Sequence, residues 1–387
     1  MAYEIKNSNI LRNSRLPYFF IIAIFISLFL LVYFLNINES QLSNFRFTQY
    51  LFNYQSGFNK RGFVGEVLFQ FGFVINYENV QIFANYCMAV LSIVFFAVIY
   101  YPFKDDIRSF GACIFVFLAF FGSFSMQHFW SDIGRFDHLQ LIIAISLLLL
   151  LSFSVNIFSK IIVVASVVII ILIHEGGLFM YAPLVLSFWL YKSEEPKEKL
   201  FIVLLFSCLV FLGYIISTEA IYYDMSFYEH VLSLESKYGG RVSELAVSIL
   251  HNGSIRDNFL LTVRNGFSSE RLYESIKVAL FVSPLMLVFF RIIRADVKNK
   301  NVRLKHVFIL SAFSPLLIYP IGYDHFRWWS ISLTNLFVAT SFVAANDEKF
   351  KILLIYYFNK SKITLASLIA CSVAFGGMGV TNAFQRF

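Results

Sequence analysis

The chain has 387 residues, 58% of them hydrophobic and only 14% charged, with a mean hydropathy of +0.70. Uncharged runs of about 18 residues or more recur along it, which excludes a soluble globule and predicts an all-α polytopic membrane protein forming one integral domain over 1–387. The net charge of +7 reads as an orientation and anionic-lipid signal, with no nucleic acid implied.

The first apolar run, Pro17 to Leu35, follows Lys6, Arg12 and Arg15 and is too long for a signal-peptide core, so a retained signal anchor is expected. Spans are predicted near 17–36, 79–102, 109–125, 138–156, 160–175, 176–191, 199–217, 275–293, 306–322, 327–345 and 362–382, about eleven in all. With the N-terminus inside, most basic residues fall in inner segments, the run Arg291 to Lys305 most densely, as the positive-inside rule requires. Most acids and histidines then fall on the outer side. Phe63 to Ile75 is too short to cross a ~30 Å hydrocarbon core, so an interfacial or re-entrant helix is predicted at 63–75, with Glu66 and Gln70 on one face. A long outer loop is expected at about 218–274, with an exposed hinge at Ser233 to Gly240 and Arg241 at the start of its basic half. Cys87, Cys113, Cys208 and Cys371 lie in apolar runs without CxxC spacing, as core thiols do.

Ionisable groups at the edge of a bilayer are costly unless they face water, a partner or a ligand. In Asp132-Ile-Gly-Arg135-Phe-Asp137-His138, two carboxylates flanking an arginine suit a metal, a sugar hydroxyl, or base chemistry beside a bidentate phosphate fork. The plain alternative is an Asp–Arg pair that stabilises a loop. His174-Glu175-Gly176-Gly177 joins two spans tightly, placing an acid–base pair where glycines permit close approach. Lys60-Arg61-Gly62, followed by Gly65 and Glu66, opens the interfacial helix and sets cations beside its first amides, a pocket for pyrophosphate at headgroup depth. Asp324-His325-Phe-Arg327-Trp328-Trp329 combines interface tryptophans with charged groups suited to sugar and phosphate.

No Walker A, dinucleotide fingerprint, haem attachment motif or serine nucleophile elbow is present. The layout resembles bacterial polysaccharide enzymes of the polyprenyl-linked type: the O-antigen or capsule repeat-unit polymerases and the multi-spanning glycosyltransferases of the GT-C superfamily. Arg61 and Gly72 are separated by ten residues, similar to an Arg-x10-Gly element of the polymerases; Arg241 to Gly253 is one residue too long for a second copy. Glu39 or Glu66 stands where GT-C enzymes carry an acidic pair.

The resemblance implies a GT-C-like helical bundle in the bacterial inner membrane, its active face periplasmic, acting on an undecaprenyl-linked glycan and an acceptor glycan. On that reading Arg61, Arg135 and Arg327 hold phosphate and Asp132, Asp137 or Glu175 serves as base, with His174 beside it. Asp324 orients sugar, while Lys60, Glu66, His138, His325, Trp328 and Arg241 complete the substrate surface. A chain-length regulator is a further partner such enzymes imply, alongside membrane lipids. The resemblance specifies no cofactor, a divalent metal remaining open. Alternatives are a transferase adding a single sugar, a flippase for the same lipid-linked glycan, and an acyltransferase.

Overall fold

The computed structural model describes residues 16–36, 41–55, 57–219, 225–251, 259–260, 262–264, 268–297, 303–322, 324–379 and 382–386. Lys6, Arg12, Arg15, Glu39, Gly253 and Arg256 lie outside the described residues. Every regular element among the described residues is helical.

The chain opens with α1 (Tyr18–Asn36), apolar on every side, followed by the short α2 (Asn44–Gln49), α3 (Phe63–Gln70) and the long α4 (Tyr77–Tyr100). Next come α5 (Phe110–Phe121) and α6 (Met126–Ser131), then α7 (Asp137–Phe153) and α8 (Ile157–Ile173). Polar caps set the starts: Asn76, Ser109 and Asn156 each accept a first-turn amide, of Asn79, Ala112 and Ser159 respectively. The expected span at 176–191 is broken at Tyr181 into α9 (Gly177–Met180) and α10 (Ala182–Lys192), because Pro183 disfavours helical geometry in the residues before it.

After α11 (Pro196–Glu219), the expected outer loop contains the helices α12 (Phe227–Tyr238) and α13 (Glu244–His251). The exposed hinge expected at Ser233 to Gly240 is thereby corrected: Ser233 to Tyr238 are the end of α12. Ser226 and Glu229 form a capping box that nucleates α12, and the turn is confined to Gly239, at φ 77°, and Gly240. Helix α14 (Ser269–Val297) carries Pro284 inside it. The expected span at 306–322 is instead α15 (Arg303–Ser311) plus a 3-10 segment, Ser314–Ile321, a break matched by Pro315 and Pro320. The chain closes with α16 (His325–Asn346), α17 (Glu348–Lys360) and α18 (Lys362–Phe375), the last two bent by 78° at their junction.

Six helices among the described residues are long and apolar enough to cross a membrane, seven if α17 and α18 form one broken span. About eleven spans are therefore not obtained by length and composition, since α7, α8 and α10 are only 17, 17 and 11 residues long and two further segments are broken. Helix α16 is the axis, with 89% of its apolar stretch buried. Gly111 lets α5 cross α17 closely: a Cβ there would lie 2.1 Å from the Ile355 carbonyl oxygen.

Contacts sort the connections into two ends. At one end Arg108 donates to the Leu16 carbonyl, Lys351 pairs with Asp106, Lys192 donates to Asn346, and Lys305 bridges Asp296 and Asp347. At the other, Tyr77 donates to the Leu42 carbonyl, Thr48 accepts from the Ser243 amide, and the charged motifs converge. Helix α3 is flanked at both sides by contacts of this second end and spans only eight residues, after which the chain turns at Gly72, φ 69°.

Candidate functional site

The site begins where α6 stops. Asp132 leaves helical geometry, and Gly134 adopts φ 93° at a point where a Cβ would lie 2.2 Å from Leu42. Only glycine suits that turn, and it brings Arg135 back over Asp132. Arg135 Nε lies 2.5 Å from Asp132 Oδ2, an electrostatic approach without hydrogen-bond alignment. Arg46, from α2, approaches the other oxygen at 3.1 Å and donates to the Ile133 carbonyl at 2.9 Å. Burial alone would raise the Asp132 carboxyl, but Arg135 and then Arg46 overcome it and hold it at about 2.

From Arg135 the charges continue. Arg135 donates to Asp324 Oδ2 at 3.3 Å, and Arg327 donates to the same oxygen at 2.7 Å. Arg327 then grips Asp137 in a fork, Nε to Oδ2 at 2.7 Å and Nη2 to Oδ1 at 2.6 Å. The result is an alternating chain, Arg46, Asp132, Arg135, Asp324, Arg327, Asp137, with three cations against three anions. Asp324, at the start of α16, is its accessible carboxylate: its side chain is 29% exposed, against 6% for Asp132 and 2% for Asp137.

A second pair lies alongside. Arg61 is the described non-glycine residue with positive φ, 70°, a strained conformation for a side chain of its size. Its Nε and Nη2 donate to Glu175 at 3.2 and 2.7 Å. Burial opposes ionisation of Glu175, yet Arg61 holds its carboxyl well below the usual range. His174 Nδ1 accepts from the Gly176 amide at 2.9 Å, which fixes the ring neutral with its proton on Nε2; burial, then Arg61, push it down to about 3. Gly177 is required by a close approach, since a Cβ would lie 2.4 Å from Gln140 Nε2, the atom that donates to the carbonyls of Ile170 and His174. Both Asp137 and Arg327 act electrostatically on His174, so the pair and the chain share one field. Lys60 is 4% exposed, and burial pushes its ammonium down, Glu175 pulls it partly back up, and Arg61 pushes it down again.

The other sequence candidates take different places. Glu66 accepts from the Tyr54 amide and from Gln70, as the i,i+4 spacing predicts, and holds α3 rather than the charge chain. His138 sets its ring nitrogens 2.9 Å from the carbonyl oxygens of Arg135 and Phe129, tying the turn to α7. His325 stacks on Tyr319 at 4.3 Å, and Trp328 packs against the same ring. Arg241 lies 3.9 Å above the Tyr77 ring and fastens the start of α13 to α4. Asp132 and Asp137 are each held by guanidinium groups; among the described residues no three His, Cys, Asp or Glu side chains gather in a metal-binding arrangement. Arg46 was not singled out from the sequence, where it is a lone cation between Phe45 and Phe47. Comparison of the chain with protein-family models, curated proteins and solved structures finds no match.

Proposed function

We propose that this chain is a glycosyltransferase of the bacterial inner membrane, joining polyprenyl-linked repeat units of a surface polysaccharide on the periplasmic face. The observation that carries the reading is the buried chain of alternating carboxylates and guanidiniums at one end of an apolar bundle, beside the Arg61–Glu175 pair. Charges kept at that depth are expensive and mark functional sites. The opposite end carries Lys192, Lys305 and Lys351, which agrees with a cytoplasmic location for it under the positive-inside rule.

In the proposed reaction an acceptor hydroxyl attacks the anomeric carbon of the donor. The bond from that carbon to the phosphate oxygen breaks, and its electron pair leaves with the lipid phosphate. Asp324, the accessible carboxylate of the chain, orients sugar hydroxyls. Glu175, held by one arginine, takes the acceptor proton, and guanidinium donors not used on carboxylates stabilise the departing charge. Asp132, clamped between Arg46 and Arg135, anchors the turn.

The test is the surface glycan of cells with a clean deletion, complemented with wild type, Arg135→Ala or Asp137→Ala at matched protein level. Loss of long chains with a single repeat unit retained is the expected result. Full-length chains lacking one side sugar would identify a single-sugar transferase instead, and an unchanged glycan in both variants would overturn the reading.

A further inference from the structure

We infer that the cavity between the start of α1, the turn before α5 and helix α17 is a binding site for a phospholipid with a phosphoethanolamine headgroup. The cavity measures about 150 Å³ and is lined by Tyr18 of α1, by Asp105, Asp106 and Arg108 of the turn, and by Ile352 and Ile355 of α17. Three helices long and apolar enough to cross a membrane begin or end around it: α1 at Tyr18, α4 with the turn after it at Phe103, and α5 at Phe110. The ends of spanning helices lie at the level of the lipid headgroups.

Charges of opposite sign line this one cavity without being joined to each other. Arg108 is fixed on one side: its Nε donates to the Leu16 carbonyl at 3.1 Å, and its guanidinium carbon lies 5.2 Å from the centre of the Tyr18 ring. Among the described residues its two terminal nitrogens make no hydrogen bond and it has no ion pair, so a planar fork of donors is left. Asp106 lies 3.1 Å from the Lys351 ammonium through Oδ2, and Lys351 also pairs with Glu348 at 2.9 Å, so the lysine keeps a partner if Asp106 turns to a ligand. Asp105 is exposed and pairs with no cation among the described residues.

Asp105 and Asp106 set against Arg108 and Lys351 make a neutral group. A purely anionic headgroup reaching Arg108 would also face two carboxylates, whereas a zwitterion puts its phosphate on the Arg108 fork and its ammonium toward Asp105 and Asp106. A primary ammonium has three N–H donors for those carboxylates; a trimethylated one has none. The apolar surroundings favour a lipid over a soluble zwitterion. Ile352 and Ile355 line the same cavity, and Tyr18, Ile22 and Ile26, four apart on one face of α1, are each about half exposed, a track for an acyl chain leading from the cavity into the bilayer.

This site lies at the opposite end of the bundle from the charge chain, and the inference does not rest on the proposed transfer reaction. The full chain in detergent would be titrated with phosphatidylethanolamine, phosphatidylcholine or phosphatidylglycerol, and bound lipid read by native mass spectrometry. Wild type is expected to hold one phosphatidylethanolamine about tenfold more tightly than phosphatidylcholine, the effect of one charge-assisted hydrogen bond, and more tightly than phosphatidylglycerol. Asp105→Asn, at an exposed position without an ion pair, should keep the melting temperature of wild type and lose most of the preference over phosphatidylcholine. Arg108→Gln should bind all three lipids more weakly; if it does not fold, Asp105→Asn carries the test. Equal binding of the three lipids, a preference for phosphatidylglycerol, an Asp105→Asn protein as selective as wild type, or displacement of the lipid by free phosphoethanolamine at equal concentration would overturn the inference.

Discussion

Separating Arg327 from Asp137 should be among the most damaging changes available at this end of the bundle. The two side chains are 5% and 2% exposed and joined by two charge-assisted hydrogen bonds, while a third bond ties Arg327 to Asp324. In Asp137→Ala the guanidinium keeps only Asp324, itself shared with Arg135, and the balance of three cations and three anions becomes three against two. Breaking a buried ion pair by removing one partner costs about 3–5 kcal/mol, mostly from the charge left behind. Arg327→Ala leaves the complementary orphan carboxylate and should cost a similar amount. The double variant leaves neither, so it should cost less than the sum by about 2–3 kcal/mol. The assay is unfolding by SDS titration in mixed micelles, followed by tryptophan fluorescence, with Trp328 one residue from Arg327 as a local reporter. Single variants that each cost under about 1 kcal/mol, as an exposed pair would, or additivity within about 0.5 kcal/mol, would refute the argument that this pair is buried and mutually dependent.

Three other outcomes follow from the same geometry. Arg46→Ala leaves Asp132 with Arg135 alone, so its carboxyl should rise from about 2 and stability should fall by about 3 kcal/mol, measured by the same titration; Arg46→Lys should recover only part of it. Helices α12 and α13 meet through His230 Nδ1 and His251 Nε2 at 3.0 Å, and burial, then His251, push His230 down to about 4. The undocked hairpin therefore takes up a proton before the docked one does: docking is at full strength above about pH 6.5 and weakens as pH falls toward 4. Hydrogen exchange of the α13 amides should quicken across that window, and a flat profile would contradict it. Gly111→Leu should prevent the α5–α17 crossing and sharply reduce folded protein, because the contact at 2.1 Å is with backbone that cannot step aside.

Elements with uniform apolar runs were legible in the sequence: α1, α4, α11 and α16 lie within a few residues of expectation, since length and hydropathy alone define them. The breaks at Tyr181 and within 303–321 were not, although the prolines that accompany them were visible, because apolar periodicity runs through a break unchanged. Helix α12 was hidden by its polarity; its capping box, Ser226 and Glu229, was the available signal. At the site, residue types and local motifs singled out Asp132, Arg135, Asp137, Glu175, Asp324 and Arg327 as candidates, but partners separated by 114 and 190 residues cannot be paired from spacing. The role of Arg46 depends on a turn at Gly134 far along the chain.

The most direct measurement of the proposed function is transfer in a defined system. Purified chain in nanodiscs would be incubated with the lipid-linked glycan that accumulates in the deletion strain, and products would be read by mass spectrometry. The account predicts glycan lengthened by whole repeat units, with one polyprenyl pyrophosphate released for each linkage formed, and loss of both products in Asp324→Asn at matched folded protein. Unchanged lipid-linked glycan with folded wild type, or undiminished transfer by that variant, would contradict it.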